Sequence, residues 1–435
     1  MNNSAQTFSA DQHPIQVWKI SNNAITVMQK LRDAGFQAYL VGGALRDMYL
    51  GIEPKDFDIA TDATPEQCKQ IFRRQARIIG RRFQIVHVRF GREIIEVTTF
   101  RGNHEARESN PKTNQDSAAS ASGVLLRDNV FGNIEEDAVR RDFSCNALYY
   151  DDNSHQVYDF CNSVKDIENK QLKIIGQADI RYTEDPVRML RAIRFAAKLD
   201  FDLEPDTEKA IAPNAHLLAA IPAARLFDES LKLFFQGHAS ASFEQLHKHQ
   251  LARFLIQDID EYIELPSYKK LLRLALRNTD RRIKQGKSIT PAFLWAILLW
   301  PKLQSRQGQI QAETGMPAIP AMHEAAQQCI SEQNQLAAIP KRFSSTMREI
   351  WSLQFNLERI HGKRPFRTLE HPRFRAAYDF LLLREESAEC KAEFGAWWTE
   401  FQKQAPNSRE QWQQQNSKKA SKPSTRKKPR KRNTK

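Results

Sequence analysis

The sequence predicts an α+β fold: a small mixed-sheet head, then an all-α neck and body, then a disordered basic C-terminal tail. Strand-period segments are confined to the residues before Ile175. Helical periodicity dominates from Asp185 to about Gln404, as in Val187, Leu190, Ile193, Phe195 and Ala197, then Leu226, Leu231 and Phe235. From Lys418 to Lys435 there are ten lysines or arginines, no acid and no residue able to build a core.

Residues 1–16 are polar and expected to be flexible. Residues 15–35 read as an amphipathic helix, with Ile20, Ile25, Met28 and Leu31 near helical spacing and Gly35 in the C′ position. The period then changes to that of a strand over Gln37–Val41, which runs into Gly42-Gly43, after which Ala44–Asp47 can start a helix. A second strand, Lys55–Ala60, precedes a helix with Thr64 as N-cap and Pro65 at N1. Strands Ile85–Phe90 and Glu93–Phe100, joined by Gly91-Arg92, form a hairpin. Residues 102–123 are rich in Ser, Asn and Ala without periodicity, and are expected to be a mobile insertion. The expected boundaries are a head over 17–176, a neck over 177–236, a body over 237–404 and a tail over 405–435. No internal repeat of fixed period occurs.

At 435 residues the chain suggests two to four domains, and 41% apolar with 27% charged residues is a globular composition. No apolar run reaches the roughly 18 residues of a membrane span; the longest candidate is Phe293–Trp300. The N-terminus has no apolar signal region, so the expected location is the cytoplasm. Five cysteines at wide spacings, without a C-x-x-C pair, read as reduced structural thiols. The net charge is +13, and the tail supplies ten of it, leaving only +3 for the rest. Such an arm attracts polyanions without reading sequence, RNA or acidic partners being favoured over a merely solubilising tail.

The chemistry concentrates in Leu40–Asp47 and Lys55–Ile59. On the expected strand Asp56 and Asp58 share one face, with Phe57 on the other. Paired carboxylates repel unless a cation lies between them, and Mg2+ fits as a hard ion that keeps waters and takes phosphate oxygens. In a two-metal arrangement one ion activates an attacking hydroxyl and the other steadies the leaving pyrophosphate. Gly42 and Gly43 let backbone N–H groups approach phosphates at a helix start, and Arg46 on the first turn is placed to reach one bidentately. A D-x-D pair alone is most often an exposed strand end, and a G-G turn alone just a turn; the combination is what carries weight. His87, between Val86 and Val88, has no second ligand spaced to help it and reads as a packed, hydrogen-bonded core histidine. Trp295, Trp300, Trp351, Trp397 and Trp398 lie among leucines at helical spacing and read as core.

LVGGALRD followed by DFD resembles the head of the class II nucleotidyltransferases of the polymerase β superfamily, which holds bacterial poly(A) polymerases and tRNA CCA-adding enzymes. The stretch Ile134–Phe143 is similar to the family's ED-x-x-RRDF motif. The resemblance implies Asp142 as a third carboxylate and Asp137, Arg140 and Arg141 at the nucleotide. The stretch Glu184–Arg191 is similar to the motif that recognises the incoming base. It implies Asp185 and Arg188, on one helical face at i and i+3, as the base readers and Arg191 as the second arginine. Ile221–Arg225 is expected to brace the neck helix, the neck over 177–236 being expected to bind nucleotide and RNA and the body over 237–404 to bind RNA. Gly80–Val88, Glu93–Arg101, Leu125–Gly132, Glu370–Phe380 and the basic tail resemble the bacterial poly(A) polymerases in particular.

The resemblance thus implies a monomeric enzyme transferring AMP from ATP to RNA 3′ ends without a template. Its cofactor would be Mg2+, with Mn2+ as the alternative ion, and its product would feed mRNA processing and the RNA-decay machinery. A CCA-adding enzyme shares the same motifs and is the first alternative. A noncatalytic RNA-binding protein is the second, and it predicts lost carboxylates or arginines, all of which stand in place.

Overall fold

The computed structural model describes residues 5–80, 84–102, 117–119, 125–128, 131–390, 394–404 and 408–420. Arg81–Phe83, most of the expected insertion and the arm from 421 onward lie outside them. The chain divides into two compact units, one running to Ile221 and including Lys248–Gln250, the other taking Pro222–His247 and the residues from Leu251.

The first unit is built on an eight-stranded sheet. Its strands are β1 (Gln6–Phe8), β2 (Ala38–Val41), β3 (Asp58–Thr61), β4 (Ala76–Ile79), β5 (Ile85–Phe90) and β6 (Glu93–Thr99). After β7 (Ser117–Ala119) and β8 (Leu125–Asp128), which pair only with each other, β9 (Leu148–Asp151) and β10 (Gln156–Asp159) complete it. The order is β1-β10-β9-β2-β3-β6-β5-β4, with β3 and β6 parallel and the other pairs antiparallel. Helices α1 (Asn22–Asp33), α2 (Gly43–Tyr49), α3 (Pro65–Phe72), α4 (Ile134–Arg140), α5 (Ser163–Glu168), α6 (Ala178–Glu184), α7 (Val187–Leu199), α8 (Pro205–Lys209) and α9 (Ile211–Asn214) belong to the same unit. Val41, Ala60, Phe100, Ala138, Tyr149 and Phe160 form one of its cores.

Local signals fix several of these elements. Thr64 and Gln67 close a reciprocal capping box over α3, with Pro65 at N1. Gly35, at φ +87°, follows the C-cap of α1, and Gly91, at φ +62°, turns β5 into β6 with Phe90 paired to Glu93.

Other expectations change. Helix α1 begins only after the Ser21 N-cap, and its buried stripe is Ala24, Val27, Met28 and Leu31 rather than one including Ile25. Residues 6–8, expected within a flexible N-terminus, add the edge strand β1 against β10. Strands do not end at 175, because β11 (Gln171–Leu172) pairs in parallel with β12 (Asp202–Leu203). Part of the expected insertion is ordered, since β7 pairs with β8.

The second unit is helical: α10 (Ala223–Phe234), α11 (Ala239–Lys248), α12 (Ile259–Tyr262), α13 (Pro266–Lys284), α14 (Pro291–Leu298), α15 (Trp300–Thr314), α16 (Ala318–Leu336), α17 (Lys341–Leu357), α18 (Arg364–Glu370), α19 (Phe374–Glu386), α20 (Phe394–Lys403) and α21 (Arg409–Ala420). The expected bracing segment Ile221–Arg225 leads into α10, whose N-cap is Pro222. The buried face of α10 carries Leu226, Phe227, Leu233 and Phe234 in place of Leu231 and Phe235. All five tryptophans named above are buried. The indole N–H of Trp351 donates to Ala296 O (2.9 Å) and that of Trp398 to Leu357 O (2.8 Å). The start of the expected tail is not irregular: Trp412 of α21 packs against a core containing Trp397, Trp398 and Phe401, and Gln413 donates to Ile360 O.

Candidate active site

Strand β2 delivers Val41 to Gly42, whose φ of +78° and ψ of −138° suit a residue without a Cβ and let the chain turn directly into α2. A Cβ added there would lie 3.5 Å from Asp58 Oδ2 and 3.7 Å from Arg141 Nη1. The turn, the aspartate and the arginine therefore meet at one point. Asp58 opens β3 opposite Val41, while Asp56 precedes the strand in an exposed loop and Phe57 is buried between them. The expected strand is shorter than its sequence pattern, and only Asp58 is held by the ladder.

Glu96 is the residue that sequence reasoning missed. In the parallel register of β3 and β6 it stands directly across from Asp58. Burial pushes the Asp58 carboxyl up to about 6, with Glu96 and Asp56 adding to the rise and Arg141 opposing it. His87 Nε2 lies 3.1 Å from Glu96 Oε1, so this histidine is half-buried and holds a carboxylate rather than filling the core. Glu96 is a polar position in the alternating pattern of β6, a visible signal, but its partner strand is not readable from spacing.

Arg141 is fixed by a buried network. Its Nη2 donates to Asp137 Oδ2 (3.0 Å), its Nε to Tyr149 Oη (2.8 Å), and the Tyr149 hydroxyl donates to the same Asp137 oxygen (2.5 Å). Burial works against the Arg141 charge, but Tyr149 and Asp137 outweigh it and hold the guanidinium above its ordinary value. Asp137 also accepts the Arg101 backbone N–H, so it positions Arg141 and the end of β6 together.

Four expected placements differ. Arg46 is only 2% exposed, and its guanidinium donates to Asp47 Oδ1 and Asn146 Oδ1, which leaves it bracing α2. Asp142 accepts from Arg191 Nε at 2.7 Å, so its carboxylate is engaged in an ion pair with α7. Asp185 and Arg188 do not share a helix, because Asp185 ends α6 and Pro186 caps α7. Arg188 instead donates to Glu184 Oε2 (2.7 Å) and Arg181 O (2.8 Å). Arg181, a second missed residue, donates to the carbonyls of Arg140 and Arg141 (2.6 and 2.7 Å), clamping the turn that follows α4. Arg140 itself donates to Gly102 O. Gly43 stands close to Arg46, its added Cβ 3.3 Å from Nη2.

Among the described residues no group of three or more His, Cys, Asp or Glu side chains is gathered tightly enough to hold a metal ion unaided. The raised Asp58 carboxyl beside Glu96 and Asp56 nevertheless fits a hard divalent ion that brings its own waters and phosphate oxygens.

Residues 38–173 match the family model described as "Poly A polymerase head domain", residues 200–263 "Probable RNA and SrmB- binding site of polymerase A", and residues 314–434 "Polymerase A arginine-rich C-terminus". The chain is 44% identical to Poly(A) polymerase I of Salmonella typhimurium over 402 residues, 91% of this chain and 85% of that one. The chain belongs to the poly(A) polymerase family. It is accordingly an enzyme, a nucleotidyltransferase. Another member of the poly(A) polymerase family, from Escherichia coli O157:H7, is 45% identical over 403 residues. A CCA-adding enzyme of Lactobacillus helveticus is 37% identical over 232 residues, 53% of this chain and 54% of that one. Among solved structures, a tRNA-processing enzyme in apo form I superposes with a TM-score of 0.61 at 21% identity, covering 94% of this chain and all of that one. The Thermotoga maritima CCA-adding enzyme complexed with tRNA gives 0.57 at 16% identity, over 90% and 84%. Poly(A) polymerase family members thus share this fold with CCA-adding enzymes.

Proposed function

We propose that the enzyme transfers AMP from ATP to the 3′-hydroxyl of RNA without a template and releases pyrophosphate. The observation that carries this reading is the meeting of Gly42, Asp58 and Arg141 at one point, beside Glu96. Asp56 and Asp58 would hold Mg2+, with Mn2+ as the alternative, and Glu96 would stand where Asp142 was expected. A divalent ion there supplies charge stabilisation for the triphosphate and eases ionisation of the 3′-hydroxyl. Arg141, held rigid by Asp137 and Tyr149, offers its remaining donor edge to the triphosphate, and Gly42 and Gly43 keep side chains out of its way.

Arg46 and Asp142 act as positioning residues in this reading, bracing α2 and α7. Arg140, Asp185, Arg188 and Arg191 are assigned to the nucleotide, with Glu184 and Arg181 orienting Arg188 toward the base. The head is taken as 17–176, the neck as 177–236, the body as 237–404 and the basic tail as 405–435. The enzyme is proposed to work as a cytoplasmic monomer whose tails mark mRNA and other RNAs for processing and decay, meeting the RNA-decay machinery there. Extending many RNAs suits a polyanion-seeking arm better than does measuring one tRNA shape.

The whole-chain identity with poly(A) polymerases, against half-chain identity with CCA-adding enzymes, favours adenylate addition. Purified enzyme given tRNA lacking its 3′ end and each nucleotide separately should incorporate ATP and leave CTP unused. Incorporation of CTP would replace this reading with the CCA-adding one.

A further inference from the structure

Helix α13 carries a basic stripe that the site above does not use. Lys270, Arg273, Arg277, Arg281 and Lys284 recur at intervals of three and four, so they fall within about 80° of helix arc and extend over about 21 Å. All five are exposed, while Leu271, Leu272, Ala275 and Leu276 are buried, which fixes the stripe outward. Among the described residues Lys270, Arg273, Arg277 and Lys284 make no ion pair. Asp280, the acid of this helix, accepts the backbone N–H groups of Ala239 (2.6 Å) and Ser240 (3.0 Å) and so caps α11.

Two adjoining hollows flank the stripe and share Ser240. The first, about 410 Å³, is lined by Phe243, Leu272 and Leu276 together with His247, Lys270 and Arg273, and by one acid, Glu244. The rings of Phe243 and His247 stack there, with centroids 6.5 Å apart and planes within 3°. The second, about 610 Å³, is lined by Arg277, Arg281 and Lys284 with Glu386. A row of cations beside an apolar hollow walled by stacked rings matches a polyanion whose repeating unit carries a flat apolar face. Single-stranded nucleic acid has that chemistry, whereas an acidic peptide brings the charge without the ring and a duplex hides its bases.

We propose that α13 and these hollows bind single-stranded RNA, with phosphates along Lys270 to Lys284 and one base in the hollow beside Phe243 and His247. This rests on the reading of the chain as an RNA-extending enzyme and adds a place where RNA away from its 3′ end is held.

The test uses the full chain, a labelled oligoadenylate and an RNA duplex of equal length, without ATP. Replacing Lys270, Arg273, Arg277 and Lys284 together by Ala is expected to weaken oligoadenylate binding and to flatten its log–log salt dependence by roughly 3, at about 0.7 for each phosphate no longer neutralised. His247→Ala should weaken oligoadenylate binding roughly fivefold or more and leave duplex binding unchanged. AMP addition to a primer of three nucleotides should persist in both variants, which separates failure here from failure of the proposed reaction. If the quadruple variant unfolds at lower urea, Arg277→Ala alone is read, with a slope change of about 0.7. An unchanged slope in a folded variant overturns the proposal. So does an equal loss for duplex, which marks a plain polyanion face, or intact RNA binding with loss of a co-purifying protein, which marks a protein-docking face.

Discussion

Asp142 and Arg191, 49 residues apart in sequence, form a charge-assisted pair in which the guanidinium Nε lies 2.7 Å from the carboxylate. The pair ties the segment after α4 to α7. Burial alone would raise the Asp142 carboxyl; the Arg191 charge and hydrogen bonds, the Phe143 N–H and Arg188 outweigh it and bring it down to about 2.

A carboxylate depressed by folding stabilises the native state above its unfolded value near 3.8 and loses that contribution as pH falls through about 2. The difference amounts to about 2 kcal/mol at neutral pH. Asp142→Asn should therefore lower the urea midpoint at pH 7 and flatten its decline between pH 5 and pH 2. Parallel curves for variant and wild type would show that the pair does not couple to folding.

Gly42→Ala places a β-carbon at φ +78°, where the backbone strain costs about 1–3 kcal/mol, and sets that carbon in van der Waals contact with Asp58 and Arg141, so relief of the strain shifts the turn against them. Because both neighbours belong to the proposed site, AMP incorporation should fall far more than stability. A variant with lowered thermal midpoint but wild-type kcat/KM for ATP would show that the turn serves folding alone.

Tyr149→Phe removes the hydroxyl that bridges Asp137 and Arg141. The cost to stability should be about 1 kcal/mol, with KM for ATP raised and kcat less affected, since Arg141 keeps its two bonds to Asp137. Asp137→Asn should raise KM further. Equal kinetics in wild type and both variants would remove Arg141 from the nucleotide.

In the helical unit, Lys302 is 4% exposed and bonds Asp258 (2.5 Å) and Glu332 at once. Lys302→Met takes the ammonium from Asp258 and leaves Glu332 with Arg306 alone, which should cost about 1–2 kcal/mol in urea unfolding, while Lys302→Met with Glu332→Leu recovers part of it. A double variant no better than the single one would contradict the pairing.

What was legible in the sequence was local. Thr64-Pro65 capping, the Gly91 hairpin and the Gly42-Gly43 turn depend on residues a few positions apart, and each is formed as the pattern demands. What was not legible depends on register or on competing partners. Glu96 reaches Asp58 only through the parallel pairing of β3 with β6, which no spacing reveals. Asp185 and Arg188 satisfy the i, i+3 rule on paper, yet Pro186 breaks the helix between them and Glu184 takes the guanidinium. Arg46 resembles a phosphate ligand until Asp47 and Asn146 occupy it. At 409–420 a charged, low-hydropathy stretch reads as disorder, and Trp412 and Gln413 anchor it as a helix.

The central claim is that the carboxylates at Asp56 and Asp58 carry nucleotidyl transfer, and the most direct measurement is AMP incorporation into an RNA primer by the Asp56→Ala, Asp58→Ala double variant. Asp56 lies in the exposed loop before β3 and Asp58 is a partly buried carboxylate facing Glu96, so replacing both relieves like-charge repulsion; the variant should unfold at no lower urea concentration than wild type and incorporate no AMP. Incorporation at the wild-type rate would contradict the account.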